Sequence, residues 1–264
     1  MKIVVCVKQV PDTEAPIRIR PDGQGIDETG LNLVMNYYDE HATEAGLRLR
    51  EQFGGTVTLV AVGPERSREA LRTGLAMGAD DALLVTDPAL SGADHLSTAR
   101  VLAAAITPLA PDVVICGKLS TDANAGIVGP AVAEFLNLPQ ATAIAALEMD
   151  AAGTVATVHR EVEGGIEVLD VPLPAVLTVE RSLNEPRYPS LPGIMKAKRK
   201  EIGVRSLQDL GLAGETVGGA AASTRLVRLD PPPKRQPGRS VDGEAEEMVA
   251  AIVTFLKHEA KVIS

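Results

Sequence analysis

The chain has almost no aromatic residues: no Trp, three Tyr and three Phe, 2% of its 264 residues. A core of this size must therefore be filled by Val, Leu, Ile and Ala, which suits parallel strands covered by helices on both faces. Cysteine is equally scarce. Cys6 and Cys116 lie inside apolar, strand-like runs without metal-type spacing, and a bare pair is poor support for a disulfide. They read as small buried hydrophobes in a reducing compartment. No run approaches the ~20 apolar residues of a membrane span, and residues 1–10 are too short an apolar run for a signal peptide. The expectation is a cytoplasmic protein without membrane insertion. Positive charge is outweighed, 26 Lys and Arg against 35 Asp and Glu, for a formal net charge of −9. That balance opposes binding to nucleic acid and confines any basic function to a local patch.

What is present is apolar and periodic. Hydrophobic residues make up 45%, enough for a globular chain with a sizeable core. Residues 2–8, 56–62, 82–86 and 112–116 read as strands. Between them, Tyr38, Ala42, Ala45, Leu49 and Phe53 share one helical face, and further helices are expected after Gly63-Pro64, over 95–107, and from Val128 to Leu136. Alternating strands and helices give a doubly wound, mostly parallel sheet. After residue 140 come the short strands 142–149, 154–162, 166–171 and 174–180, with a Gly164-Gly165 turn that points to added antiparallel strands. Residues 203–222 are Gly- and Ala-rich and read as loop, Asp230-Pro231-Pro232-Pro233 as a stiff link, and 241–258 as a final helix.

The loop Gly117-Lys118-Leu119-Ser120-Thr121-Asp122-Ala123-Asn124-Ala125-Gly126-Ile127-Val128-Gly129 follows a strand and precedes a helix. Ligands of open α/β sheets sit beyond the carboxyl ends of strands. Small residues there let the backbone approach a phosphate, and a helix N-terminus supplies unpaired N–H donors. Pro130 fits a first helical turn. Such loops also occur without ligands, so phosphate binding and a plain connection both stand. Two further loops, Val7-Lys8-Gln9 and Val62-Gly63-Pro64, should lie at the same sheet edge. Asn36 and Asp39 either wall that site or cap the helix they open. The four histidines have no catalytic partner at a recognisable spacing and read as surface or helix residues, and Asp80-Asp81 as solvated charges.

Residues 160–200 carry the densest pattern: Arg160-Glu161-x-x-Gly164-Gly165-x-Glu167, then Leu183-Asn184-Glu185-Pro186-Arg187-Tyr188, then Leu191-Pro192-x-Ile194-Met195-Lys196-Ala197-Lys198. These three linked motifs resemble the electron transfer flavoprotein beta-subunit family, and so does the stretch Val7 to Ile19. The resemblance implies an adenine-nucleotide site with contacts at Cys6, Asn36, Tyr37, Tyr38, Asp39, Val62 and Ser120 to Gly129. It implies AMP there, or a second FAD, since the Pro11-Asp12-Thr13 form resembles members with two flavins; Thr13 would then stand near the flavin of the alpha subunit. The chain departs from the common pattern at Leu119-Ser120-Thr121, Ile127 and Asn36-Tyr37, changes that backbone donors tolerate. Glu161 is either near the electron-exit side, as the family implies, or a plain hairpin-edge carboxylate.

The helix near 190–200 exposes an apolar anchor, Leu191 with Ile194 and Met195, ringed by Lys196 and Lys198. A helix C-terminus favours cations in any case, but apolar and basic groups together suit docking to an acidic partner. In the family this is the arm that grips partner dehydrogenases. The expected architecture is thus an α/β nucleotide-binding domain over 1–202, with a protruding recognition arm at 183–200, and an extended segment and helix over 203–264 docking on an alpha subunit. The expected role is a non-enzymatic electron-carrier subunit that shares FAD with the alpha subunit and serves flavin dehydrogenases such as acyl-CoA dehydrogenases. Electron bifurcation would accompany a second FAD. A stand-alone AMP- or ATP-binding module would not need the 183–200 arm. An ATP-using enzyme of the same fold would need a phosphate-loop motif that the chain lacks.

Overall fold

The computed structural model describes residues 1–233, 238 and 240–263. Its centre is a nine-stranded sheet. β1 (Lys2–Cys6) lies between β4 (Thr56–Val62) and β6 (Val113–Gly117). Beyond β4 come β5 (Asp81–Val85) and the edge strand β11 (Gly203–Arg205). Beyond β6 come β10 (Ala175–Val179), β7 (Gln140–Met149), β8 (Val155–Val162) and β9 (Gly165–Pro172). All pairings are parallel except β7 with β8 and β8 with β9. A separate antiparallel pair, β2 (Gln9–Pro11) and β3 (Leu33–Met35), brackets the long loop between them.

Alternation along the strands divides the core in two. Ile3 and Val5 of β1, with Val113 and Ile115 of β6, join the side chains of α1 (Tyr37–Phe53) and α2 (Arg68–Met77). Val4 and Cys6, with Val114 and Cys116, join α3 (His95–Ile106) and α4 (Val128–Leu136) on the opposite face. Aliphatic residues and alanines supply nearly all of both clusters, as strands covered on both faces require; the one polar side chain buried in β10, Thr178, accepts from Ala143 N at 2.9 Å.

The segment 203–222 is not a plain loop. Gly203–Arg205 pairs with β5 as a parallel edge strand, and α6 (Gly214–Val217) follows. Ile202, Leu207 and Val217 are buried. A three-residue strand and a four-residue helix are too short to show a period, so sequence pattern alone could not reveal them. The final helix is also shorter than expected: α7 spans Ala245–Thr254 and continues as a π-helical turn over Phe255–Glu259. It buries no residue and leaves Val249, Ile252, Val253 and Phe255 open to solvent. Of the expected 203–264 segment, residues 234–237, 239 and 264 lie outside the described residues. Among the described residues no helix is long and apolar enough to cross a membrane.

Asp80 is not simply a solvated charge. It accepts from Val57 N at 2.9 Å and pairs with Arg50 at 3.0 Å, joining the turn before β5 to β4 and α1. Asp81 pairs with Lys200 at 2.7 Å. His41 is a helix residue but not a surface one. It is buried, and its Nδ1 lies 3.0 Å from Asn184 O while Asn184 Nδ2 donates to His41 O at 3.0 Å.

Candidate functional site

Parallel strands all end at one edge, and the connections leaving β1, β4 and β6 meet there around a cavity of about 460 Å³. Cys6 and Cys116 form part of its floor. They continue the β1–β6 register and face the α3/α4 side together. Both are free thiols, and the contact with Cys6, together with burial, holds the Cys116 thiol well above its usual range. A thiol held protonated in this way is a poor nucleophile, so Cys116 serves as apolar floor.

One wall is the N-terminal end of α1. Asn36 and Asp39 are buried there, and Asn36 makes no side-chain cap to the helix it precedes. Its Nδ2 instead donates to Asp39 Oδ1 and to Leu119 O, both at 2.9 Å, and its Oδ1 accepts from Thr121 N at 3.1 Å. Asp39 Oδ2 accepts from Lys8 N at 2.8 Å, and Gly117 N also donates to this carboxyl. The helix-cap alternative for these two residues is therefore replaced by a cross-loop tie. Burial pushes the Asp39 carboxyl up to about 7 despite these donors. Gly117 is required at its position, since an added Cβ would lie 2.4 Å from Asp39 Oδ1 and 2.7 Å from the Tyr38 Cβ.

The opposite wall is the loop leading from β6 into α4. Ser120 and the run Ala125 to Gly129 line the cavity. Ile127 is the N-cap of α4 and has no side chain able to cap it, so first-turn N–H groups remain available beside the cavity. Gly126 has φ +63°, a conformation that strains any other L-residue except Asn or Asp. Lys8 Nζ crosses to Asp122 at 2.6 Å, and Lys118 pairs with Glu180. Burial alone would raise the Asp122 carboxyl, but Lys8 beside it holds it below the usual carboxylate range. Among the described residues, Thr121 Oγ1 is buried without a hydrogen-bond partner.

The remaining expected site residues divide by position. Val62 joins the lining with Cys6, Asn36 and Asp39. Tyr37, Tyr38, Thr121, Asp122, Ala123 and Asn124 stand outside it; Asp122 and Thr121 support it through the contacts above, and Tyr37 packs edge-on against Tyr38 and His41. Thr13 lies in the exposed loop after β2, away from the cavity. Glu161 is exposed on β8 and accepts from Ser182 Oγ at 3.2 Å. Three lining elements carried no expectation: Asp94 and His95 at the start of α3, Thr98 and Leu102 within it, and Thr224 and Leu226 from far along the chain. Asp94 before an apolar helix is a legible N-cap; Thr224 and Leu226 have no local signature.

A second surface is built by α5 (Leu191–Arg199). Its inner side lies on α2, where Ala197 is buried and Arg72 reaches Ala197 O. The segment before it is clamped to α1: Arg187 Nε donates to Glu44 Oε2 at 2.7 Å, and Arg187 Nη1 donates to Glu51 Oε1 at 2.6 Å. Burial would raise Glu44, yet Arg187 and Arg48 hold it below the usual range. On the outer side Tyr188 is 95% exposed, Leu191 74% and Met195 49%, with Ile194, Lys196 and Lys198 also open to solvent. Large apolar residues clustered outward beside a clamped segment are of the kind that interaction surfaces carry.

Comparison with known proteins agrees with this geometry. The model of the electron transfer flavoprotein domain matches residues 24–210. The chain is 39% identical over 264 residues to the electron transfer flavoprotein subunit beta of Bacillus subtilis (strain 168), covering all of both chains. It is 38% identical over 257 residues to the subunit of that name from Thermoanaerobacterium thermosaccharolyticum, covering 97% of this chain and 98% of the relative. The Megasphaera elsdenii subunit is 38% identical over 246 residues, 90% of each chain. A doubly wound sheet with a lined cavity at its carboxyl edge, together with full-length identity at this level, places the chain in the electron transfer flavoprotein beta-subunit family.

Proposed function

We propose that this subunit holds an adenine nucleotide, AMP or a second FAD, in the cavity at the carboxyl edge of its sheet. In this reading it pairs with an alpha subunit that carries most of a shared FAD. The observation that carries the proposal is the pairing of uncapped N–H donors at the start of α4 with a buried polar wall, Asn36 and Asp39, across one cavity. Residues 126–129 would receive the phosphate through the backbone, which explains why the departures at Leu119-Ser120-Thr121 and Ile127 are tolerated. The cysteine floor, Val62 and Leu102 offer an apolar bed for a base. The left-handed Gly126, which lines the cavity, fits the same ligand. Flavin, when bound, carries the electrons; the protein supplies position and field.

The outer side of α5 is the docking surface for flavin dehydrogenases in this reading. Leu191 is the anchor, with Ile194 and Met195 beside it, and Lys196 and Lys198 steer an acidic surface. The apolar side chains of α7 are the element that docks on the alpha subunit. The test is chemical. The heterodimer is purified with its alpha subunit and denatured, and the released AMP and FAD are counted. AMP with one FAD, or two FAD, supports the site. A single FAD and nothing else overturns it. The flavin count also decides between the simple carrier and a bifurcating one.

A further inference from the structure

The cavity has a roof that comes from the far end of the chain. Thr224 and Leu226 contribute to its lining, yet residues 223–228 are exposed, so no apolar anchor holds them there. Their fixings are polar and lie at both ends of the strap. At one end Asp94 Oδ2 accepts from Ser223 N at 2.7 Å and from Thr224 N at 3.1 Å. At the other, Gln24 Nε2 donates to Val227 O at 2.8 Å, and Leu229 N donates to Gly23 O at 2.8 Å. Upstream, Val217 of α6 is buried in the α3/α4 core and fixes the foot of the strap.

We propose that Asp94 is the latch of this roof: its Oδ2 pins the 223–226 strap across the cavity mouth, and a bound nucleotide leaves only when that latch opens. The inference rests on the nucleotide reading above. Asp94 is a positioning residue that acts through Thr224 and Leu226. Its two oxygens have separate duties. Oδ1 accepts from Ser97 N at 2.9 Å and caps α3, while Oδ2 takes the strap. The Ser97 donor, followed by those of Ser223 and Thr224, holds the carboxyl down to about 2, so the latch stays charged throughout the neutral range.

This division gives a substitution that separates the two duties. Asn caps helices as well as Asp does, so Asp94→Asn keeps Oδ1 opposite Ser97. The amide nitrogen replacing Oδ2 then faces two N–H donors and cannot hold the strap. Asp94→Ala loses cap and latch together. The full heterodimer is loaded with fluorescent etheno-AMP and chased with excess AMP, and thermal midpoints and amide exchange at 223–229 are recorded. In Asp94→Asn, release should quicken about tenfold or more, the size expected from losing charge-assisted bonds. Exchange at 223–229 should rise while the thermal midpoint stays near wild type. Asp94→Ala should also lower the midpoint. Gln24→Ala, at the exposed far end of the strap, should quicken release less and carries the test if the Asp94 variants fail to fold. Release at the wild-type rate in the folded variants overturns the latch while leaving the nucleotide site intact. A wild-type heterodimer that binds neither etheno-AMP nor FAD in this subunit overturns both.

Discussion

Asn36 Nδ2 donates to Asp39 Oδ1 across 2.9 Å, and neither side chain is given to capping the helix they begin. The pair instead ties the turn after β1 to the loop after β6, so two strand ends that flank the cavity are held as one unit.

That tie has a pH signature. The Asp39 carboxyl sits at about 7 in the folded chain against 3.8 ordinarily, because of burial. Between those values the folded state keeps a proton that the unfolded state gives up, so this group's contribution to stability falls as pH rises from about 4 to about 7. Lys8 and the Cys116 thiol are the ionisable neighbours. Urea unfolding of wild type and Asp39→Asn at pH 5 and pH 7.5 checks it. The stability advantage of wild type should shrink by upwards of about 1 kcal/mol at the higher pH, each unit of displacement being worth about 1.4 kcal/mol. An advantage that is flat with pH counts against the protonated carboxyl.

Gly126 tests the phosphate loop through its backbone. The nearest heavy atom to an added Cβ is Lys118 O at 3.6 Å, so space is ordinary and the obstacle is φ +63°. Gly126→Val should cost about 1–2 kcal/mol locally and reshape the donors. Gly126→Asn, which tolerates that region, should retain more nucleotide. Denaturing the purified heterodimers and measuring released AMP and FAD gives the order wild type, Asn, Val. Equal content in all three removes the loop from the site.

Truncation after Leu229 removes α7 but spares the strap. Because α7 buries nothing within its own chain, the truncated chain should keep its thermal midpoint and circular dichroism while co-purifying poorly with the alpha subunit. Normal co-purification excludes α7 as an assembly element.

On α5 two substitutions should fail in different ways. Leu191→Ala should weaken electron transfer to a partner dehydrogenase by about 2 kcal/mol or more in apparent affinity, with flavin spectrum and heterodimer stability unchanged. Lys196→Glu should slow association, most strongly at low salt where screening is weakest. If Leu191→Ala transfers electrons like wild type, this exposed face has another use.

The parallel sheet was legible because β1, β4 and β6 are short, mostly aliphatic runs, buried over most of their length and separated by helical periodicity. β11 was not, since three residues cannot show alternation. The loop after β6 was legible from its small residues and its place between strand and helix. The roof was not: Asp94 meets Ser223 across 129 positions of chain, and no local rule links them. Asp39 stayed open between wall and cap for a different reason. An acid in a first turn is already explained by the helix dipole, so its burial beneath the cavity had no separate trace. Burial of His41 was hidden likewise, since its partner Asn184 lies 143 residues away.

α1 touches both working surfaces. Asn36 and Asp39 at its start form the cavity wall, while His41, Glu44 and Glu51 along its flank grip Asn184 and Arg187 at the root of the docking arm. Over this span an α-helix is about 22 Å long and scarcely compressible. It therefore acts as a strut: the arm and the cavity keep a set separation, and any partner bound at the arm would be held at a fixed span from whatever the cavity contains.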